Sequence, residues 1–435
     1  MNKLDKILKI VYMLLLGYVC LIPFYYYPPS YFFGVQIPII KYIPLLLILF
    51  LSVKLLYTEH GGIKGLKQET LNLLILFYFF LFLLSGLGTV YYRISILKAV
   101  YYGLTGILIY FVIYAWRLRQ IDKLFFLRGI VIIGFIVSLY GIATLVIKKD
   151  VLFAGLQYSK SNLTEPGIFL EMGRISSSFG NPLFLGGFLS TIFPLALFLH
   201  LFNSGQKRIP HYLTAIMPAV IFIATMLTFS VGAFLGVVAF YVFYYVKIKG
   251  LYKTSPNYKR AGVLFFSGVV LLCAVLFMIT ANYLLDLQGK DYFFGGYLGR
   301  FDFQKLANAQ AVSLRMDSLR CAADFLKTNY RFFGIGIGQI GAGDNQILRV
   351  SMDNYYCLSL IESGLPATTL LLIIFYSIIK KAYNKLTDSI SMEEKRLVVF
   401  LTGSFIIFFI NMLFWDVFNH PTMRILFWSF VGFLI

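Results

Sequence analysis

Residues 182–202 read PLFLGGFLSTIFPLALFLHLF and follow directly on Asn181. The run holds no Asp, Glu, Lys or Arg, and it is about as long as a helix must be to cross bilayer hydrocarbon, roughly 20 residues. In lipid the backbone has to satisfy its own polar groups, so a run of this kind is a helix. Proline is favoured at the first helical position, and Asn181 before it suits the N-cap.

Similar runs recur in both directions. They predict helices near 7–27, 37–57, 71–91, 94–116, 127–147, 182–202, 210–229, 231–248, 262–285, 355–379, 397–417 and 421–435. Composition agrees: 435 residues, 59% hydrophobic and 13% charged, with a mean hydropathy of +0.81. A soluble domain is nearer half apolar and a quarter charged. The alternating pattern of a membrane β-barrel is absent. The predicted fold class is an all-α polytopic membrane protein with about twelve transmembrane helices. The basic N-terminus leads into the apolar stretch 7–27 without a small-residue cleavage site, which reads as a retained first helix rather than a signal peptide.

The net charge is +19, from 38 basic and 19 acidic residues. With the N-terminus inside, more than half of those basic residues fall on six successive cytoplasmic segments, among them Lys3, Lys64, Arg117, Lys207, Lys253 and Lys380. The short outer loops at 28–36, 92–93, 229–231 and 418–420 carry only Arg93. This is the positive-inside pattern, and it predicts an N-in, C-in topology. The charge is thereby assigned to membrane orientation. No aromatic-plus-basic groove of the kind that takes nucleic acid is present, so nucleic acid is not an expected partner.

Four segments follow: 1–147 with the first five helices, 148–285 with four more behind an outer segment at 148–181, a large extracytoplasmic loop at 286–354, and 355–435 with the last three helices. The large loop is nearly balanced in charge and has its own periodicity, the mark of a folded, functional loop. Cys20, Cys273, Cys321 and Cys357 show no metal-ligand spacing and no C-x-x-C pair. Cys321 and Cys357 either pair outside the membrane or remain free thiols. No phosphate-binding P-loop occurs, and no metal-ligand cluster either.

Four places carry residues suited to chemistry. In Asn308 to Lys327, Ala311, Arg315, Leu319, Ala322 and Leu326 share one helical stripe, opposite Ser313, Asp317, Arg320, Asp324 and Lys327. Arg315 thus sits on the apolar face, either as a structural ion pair or snorkelling side chain, or as a phosphate ligand. Arg174, Ser176, Ser177 and Ser178 lead through Asn181 into the next helix. They form either an ordinary capped helix start or an anion pocket at the positive end of that helix.

Asp353-Asn354-Tyr355-Tyr356 marks the re-entry of the chain into the membrane, with Glu362 nine residues on. Asp353 is either an N-cap or a base for a sugar hydroxyl, and the two roles are compatible. Glu362 is expected to pair with an arginine. Trp415-Asp416-Val-Phe-Asn419-His420-Pro421, with Arg424 just inside the last helix, is the fourth place. His420 is either structural or a group that titrates near neutral pH.

The order of these pieces resembles the O-antigen ligase/O-antigen polymerase (Wzy-type) superfamily. The resemblance runs over roughly 170–435. It begins with Arg174-x-Ser-Ser-Ser-Phe-x-Asn181-Pro182 and the tight hairpin Thr228-Phe-Ser230-Val231-Gly232. It continues through Arg315, the run Phe333-Gly334-Ile-Gly336-Ile-Gly338, and Asp353-Asn354-x-Tyr-x₅-Glu362-x-Gly364.

The resemblance implies a glycosyltransferase of the bacterial inner membrane with its site facing the periplasm or exterior. It implies a polyisoprenyl-diphosphate-linked donor and a glycan or lipid-linked acceptor. It implies no metal and no nucleotide sugar, hence no cofactor, and admits a chain-length regulator as partner. Arg315 takes the place of the loop arginine, Asp353 that of the ligase histidine, and Arg174 belongs to the helix-entry motif. Ser176, Ser178, Asn181, Asn354, Tyr355, Arg300, Glu362, His420 and Arg424 are the expected substrate contacts.

Two departures stand out: Asp353 replaces histidine, and Val231 stands where many members have arginine. Arg174, Arg300 or Arg424 then has to supply the missing cation. On these grounds polymerisation is favoured over transfer to lipid A-core. A flippase of lipid-linked oligosaccharide is the competing class; its deep ionisable candidates are Lys41 and Lys98.

Overall fold

The computed structural model describes residues 31–32, 35–36, 70–89, 91–117, 123–147, 175–179, 181–202, 211–251, 319–320, 323–327, 332–340, 354–388 and 391–434. The predicted helices 7–27, 37–57 and 262–285 lie outside them. So do Arg174, Arg300, Arg315 and Asp353.

The described chain is helical apart from one minimal antiparallel pair, β1 (Tyr31–Phe32) and β2 (Val35–Gln36). The helices are α1 (Thr70–Leu87), α2 (Tyr92–Tyr102), α3 (Leu108–Arg117), α4 (Lys123–Ile147), α5 (Pro182–Phe202), α6 (His211–Leu227), α7 (Val231–Leu251), α8 (Tyr355–Thr387), α9 (Met392–Phe414) and α10 (Pro421–Leu434). A π turn, Gly103–Ile107, joins α2 to α3. Six of the described helical stretches are long and apolar enough to cross a membrane: α1, Tyr92–Phe111, α4, α5, α8 and α9. Large apolar side chains on the outside, among them Phe80, Leu97, Ile136, Val146 and Tyr376, are exposed. A surface of this kind suits lipid rather than water.

Close approaches at small residues fix the relative helix directions, as is common where helices pack in lipid. Gly134 faces Ile192 and Gly141 faces Ser177, so α4 and α5 are antiparallel. Gly232 meets Asn411 and Phe414 while Gly236 meets Ile407, so α7 and α9 are antiparallel too. Gly106 packs on Trp428 and Gly432 on Ile113, so α10 runs parallel to the α2–α3 segment.

The prediction of one straight helix from 355 is corrected. Gly364, at φ 79° and ψ 175°, breaks α8. Tyr356 donates its hydroxyl to the Phe409 carbonyl at 3.3 Å, and Phe375 stacks on the same Phe409 at 4.7 Å. In a straight helix those two residues would lie about 28 Å apart along the axis. The chain therefore doubles back: a short half-helix before Gly364 lies beside the longer one after it. Non-helical backbone at membrane depth needs protein cover. The run 332–340 supplies it. Leu365 N donates to Phe332 O (3.1 Å), Ile335 N to Ile361 O (3.0 Å) and Gly336 N to Glu362 O (2.9 Å).

Two further differences are smaller. The segment predicted at 94–116 contains the π turn, a distortion frequent near functional sites. In the loop helix, Leu326 packs against the core as predicted, whereas Leu319 is exposed. Asp324 and Lys327 pair at 3.5 Å on the outer side.

Candidate functional site

The turns at one end of the bundle come together. Ser177–Phe179 forms a 3-10 turn ahead of α5, with Ser177 held at φ 49°. Phe229, between α6 and α7, sits at φ 54°. Left-handed backbone at residues other than glycine is uncommon and costs free energy. Ile175 N ties the first turn to the second by donating to Leu227 O at 3.1 Å, and Ser177 Oγ anchors the first to α4 by donating to Val137 O at 2.8 Å. The tight hairpin read at Thr228–Gly232 is present. Asn181 caps α5 as predicted, its Oδ1 accepting from Leu183 N at 2.8 Å. Ser176 and Ser178 are buried, and the Ser178 hydroxyl has no hydrogen-bond partner.

Against these turns packs the link between α9 and α10. His420 is fully buried, stacked on Phe179 at 5.1 Å and against Phe184 at 4.9 Å. Loss of hydration, reinforced by the Arg424 charge, pushes its pKa down to about 3. His420 is therefore a neutral packed ring at physiological pH. Of the two readings of His420, the packing fits the structural one.

Asn354 caps α8, accepting from Cys357 N at 3.1 Å, and its amide reaches Leu413 O at 3.4 Å. The cap belongs to Asn354 rather than to Asp353. Cys357 carries a free thiol. Tyr355, one residue into α8, is buried, hydrogen-bonds the Tyr78 hydroxyl and meets Phe418 edge-on at 4.8 Å.

Arg424 is the charged centre of this end. It is 2% exposed. Its Nε donates to Thr105 Oγ1 in the π turn at 3.0 Å, and its Nη1 donates to Phe418 O at 2.5 Å. The Tyr102 ring lies 3.7 Å from the guanidinium carbon and Tyr101 lies 4.8 Å from it. Tyr102 is itself tied to Asn419 Oδ1 at 2.6 Å. Nη2 is buried and has no partner. Arg424 lines a small cavity whose other walls include Tyr78, Tyr102, Tyr355, Phe418 and Trp428.

Sequence reasoning missed Asp416. Its Oδ1 is buried and unbonded. Loss of hydration and the nearby Glu362 charge push its pKa up to about 8, against the opposing pull of Arg424 and of hydrogen bonds from Asn419. The residue was visible beside His420, but nothing local signalled that a loop carboxylate would be drawn inside.

Glu362 is buried, and its partners differ from the expected arginine. Its Oε1 accepts from Ile340 N at 3.2 Å, and amides of Gly338 and Gln339 also reach the carboxylate. Lys98 is the nearby cation, donating its Nζ to Gly338 O at 3.3 Å. Glu362 and Lys98 thus hold the glycine-rich run.

Residues 216–372 match the family model described as O-antigen ligase. The match covers this part of the chain alone. It takes in the second turn, the glycine-rich run, Asn354, Tyr355 and the break at Gly364. The Ser176–Asn181 and Asp416–Arg424 segments lie outside the match and reach the domain through the contacts above. No curated protein matches the chain. The family supports an O-antigen ligase- or polymerase-like glycosyltransferase in general, carried here by a multi-pass membrane protein.

Proposed function

We propose that this chain transfers a polyisoprenyl-diphosphate-linked glycan to an acceptor glycan during surface polysaccharide synthesis, acting as a polymerase rather than a lipid A-core ligase. The observation that carries the reading is the meeting of the ligase-family domain with the Ser176–Asn181 and Asp416–Arg424 segments around one buried guanidinium. The absence of an arginine at Val231 supports the polymerase side.

The full chain has about twelve spans with both ends in the cytoplasm, so the site opens to the periplasm or exterior of the inner membrane. The basic inner loops support this topology, as do the parallel run of α10 with α2–α3 and the antiparallel α4–α5 and α7–α9 pairs.

The chemistry needs two things. Negative charge grows on the diphosphate as the glycosidic bond breaks, and fixed cationic donors stabilise that transition state. Arg315 and Arg174 supply them. The acceptor hydroxyl loses its proton as the new bond forms, and Asp353 accepts it. The step requires no metal and no nucleotide sugar.

The test is extension of purified lipid-linked repeats by the purified chain, without a transmembrane gradient. Chain growth in wild type and its loss in Arg315→Ala at unchanged protein level is the expected result. Arg315→Lys should rescue poorly, because an ammonium cannot make the bidentate phosphate contact. Full extension by Arg315→Ala removes that residue's role. No extension by wild type, with gradient-dependent movement of the lipid-linked glycan, would make the chain a flippase.

A further inference from the structure

At the end of the bundle away from the turns, the C-termini of α7 and α8 lie beside the N-terminus of α9, and both helices pack on α9. On α9, Ile407 meets Gly236 of α7, and Phe409 packs on Phe375 of α8 at 4.7 Å. Between those two contacts runs a strip of Ile406, Ile410 and Leu413, half-buried or exposed. Lys395 comes eleven residues before Ile406, about three helical turns, and so falls on the same strip.

Register brings three lysines together there. Gly236 stands opposite Ile407 in an antiparallel pair. Eleven residues on, Lys247 stands opposite residue 396, within a rise of about 1.5 Å of Lys395. Lys247 Nζ lies 5.1 Å from the centre of the Tyr383 ring on α8, joining α7 to α8 across α9. Val399 and Thr402, on the strip between Lys395 and Ile406, are buried. Lys380, one turn before Tyr383, is exposed. Among the described residues no carboxylate shares the strip. Glu394 pairs with Lys123 at 3.9 Å. Glu393 lies about 200° round α9 from Lys395, and Asp388 is exposed in the link between α8 and α9.

Val242, Val246, Tyr376 and Ile379 are exposed on the flanking helices. They set the lysines at the edge of the apolar belt, where the phosphate within reach belongs to a lipid. Basic pockets between transmembrane helices take anionic lipid head groups. We propose that Lys247, Lys380 and Lys395 hold the phosphate of an anionic phospholipid of the phosphatidylglycerol class, with its acyl chains along Val246 and Ile379. A zwitterionic lipid would bring a fourth ammonium among three and binds less well. The bound lipid fastens α7 to α8 over α9, at the opposite end from the turns, and takes no part in glycosyl transfer.

The experiment is titration of the purified full chain in neutral detergent with phosphatidylglycerol, phosphatidylcholine and inorganic phosphate. The readouts are lipid retained per chain by native mass spectrometry and the melting temperature. A lysine beside an anionic head group contributes roughly fivefold, so three should favour phosphatidylglycerol over phosphatidylcholine about a hundredfold. Binding to the folded state should raise the melting temperature. Lys247→Gln combined with Lys395→Gln should cut the preference about 25-fold, while Arg93→Gln, at the other end, should leave it intact. The wild-type comparison of the two lipids decides the matter should the double variant fail to fold.

Equal binding of the two lipids, or a preference that survives in the double variant, would overturn the proposal. So would release of phosphatidylglycerol by millimolar inorganic phosphate, which would make the lysines a site for a soluble anion.

Discussion

Ser359 Oγ lies 3.1 Å from Thr368 Oγ1, although nine residues separate them. In a straight helix the same pair would be about 13 Å apart along the axis. The two hydroxyls join the arms of the hairpin, and Gly364 is its tip. Ser363 adds a third hydroxyl, 3.1 Å from Ser359 Oγ.

Gly364→Ala should therefore break the domain. A Cβ there would sit 2.3 Å from Phe332 O and 2.6 Å from Gly334 N, both backbone atoms that cannot swing aside. The backbone conformation alone costs an alanine about 1–3 kcal/mol. Ser359→Ala loses only hydrogen bonds, worth about 1 kcal/mol net. Melting of the purified protein in detergent should show a large drop for Gly364→Ala and a small one for Ser359→Ala. An unchanged melting point in Gly364→Ala would mean that the chain does not turn there.

The tip is held from the other side by Glu362 and Lys98. The carboxylate gathers amides of the 338–340 run, while the ammonium holds the Gly338 carbonyl. Because both act on one short segment, their effects should not add. In a double-mutant cycle of Glu362→Gln and Lys98→Met, a coupling of about 0.5–3 kcal/mol is expected. Cleavage of the 332–340 run by added protease should rise in each single variant, and little further in the double. Strict additivity would separate the two residues.

How far the sequence led depended on where the information lay. Pro182 and Pro421 announced their helix starts, and α5 came out at 182–202 as read, because proline and asparagine act locally. The reversal at Gly364 stayed hidden inside an apolar stretch. Its causes are contacts with Phe332 and Gly334, about thirty residues upstream, and the short spacing of Gly364 and Pro366 was the one local hint. Arg424 was picked out by being a charge in an apolar helix. Its partner Thr105 is 319 residues away and sits in a π turn that no pattern of hydrophobicity encodes.

The α9–α10 link should make stability depend on pH in two opposite senses. Asp416 has an ordinary unfolded value near 3.9 and a folded one of about 8. Between those values the folded chain holds a proton that the unfolded chain has lost, so stability falls as pH rises from about 4 to 8. His420 goes from about 6.5 unfolded to about 3 folded. There the unfolded chain takes up the proton first, so stability falls as pH drops below about 6.5. The two effects cancel between about pH 4 and 6.5, so melting curves from pH 4 to 9 should be level there and fall from about 6.5 to 8; Asp416→Asn should abolish that fall and uncover the acid loss, and His420→Gln should extend the fall down to about pH 4. A profile that neither variant alters would return both groups to ordinary solvated titration.

Ser177 and Ser178 are neighbours with opposite expected responses. The Ser177 hydroxyl is bonded to Val137 O at 2.8 Å, so Ser177→Ala should cost about 1 kcal/mol. The Ser178 hydroxyl is buried with no partner. An unsatisfied hydroxyl is itself a penalty of about 1–3 kcal/mol, so Ser178→Ala should leave the fold as stable or make it more so. If that hydroxyl is instead reserved for the glycan or its phosphate, the same substitution should slow chain extension while the melting point holds or rises. The pairing of the two readouts decides the matter: reduced extension at undiminished stability makes Ser178 a substrate contact. Lost stability would show that its hydroxyl is bonded within the fold and remove it from the site.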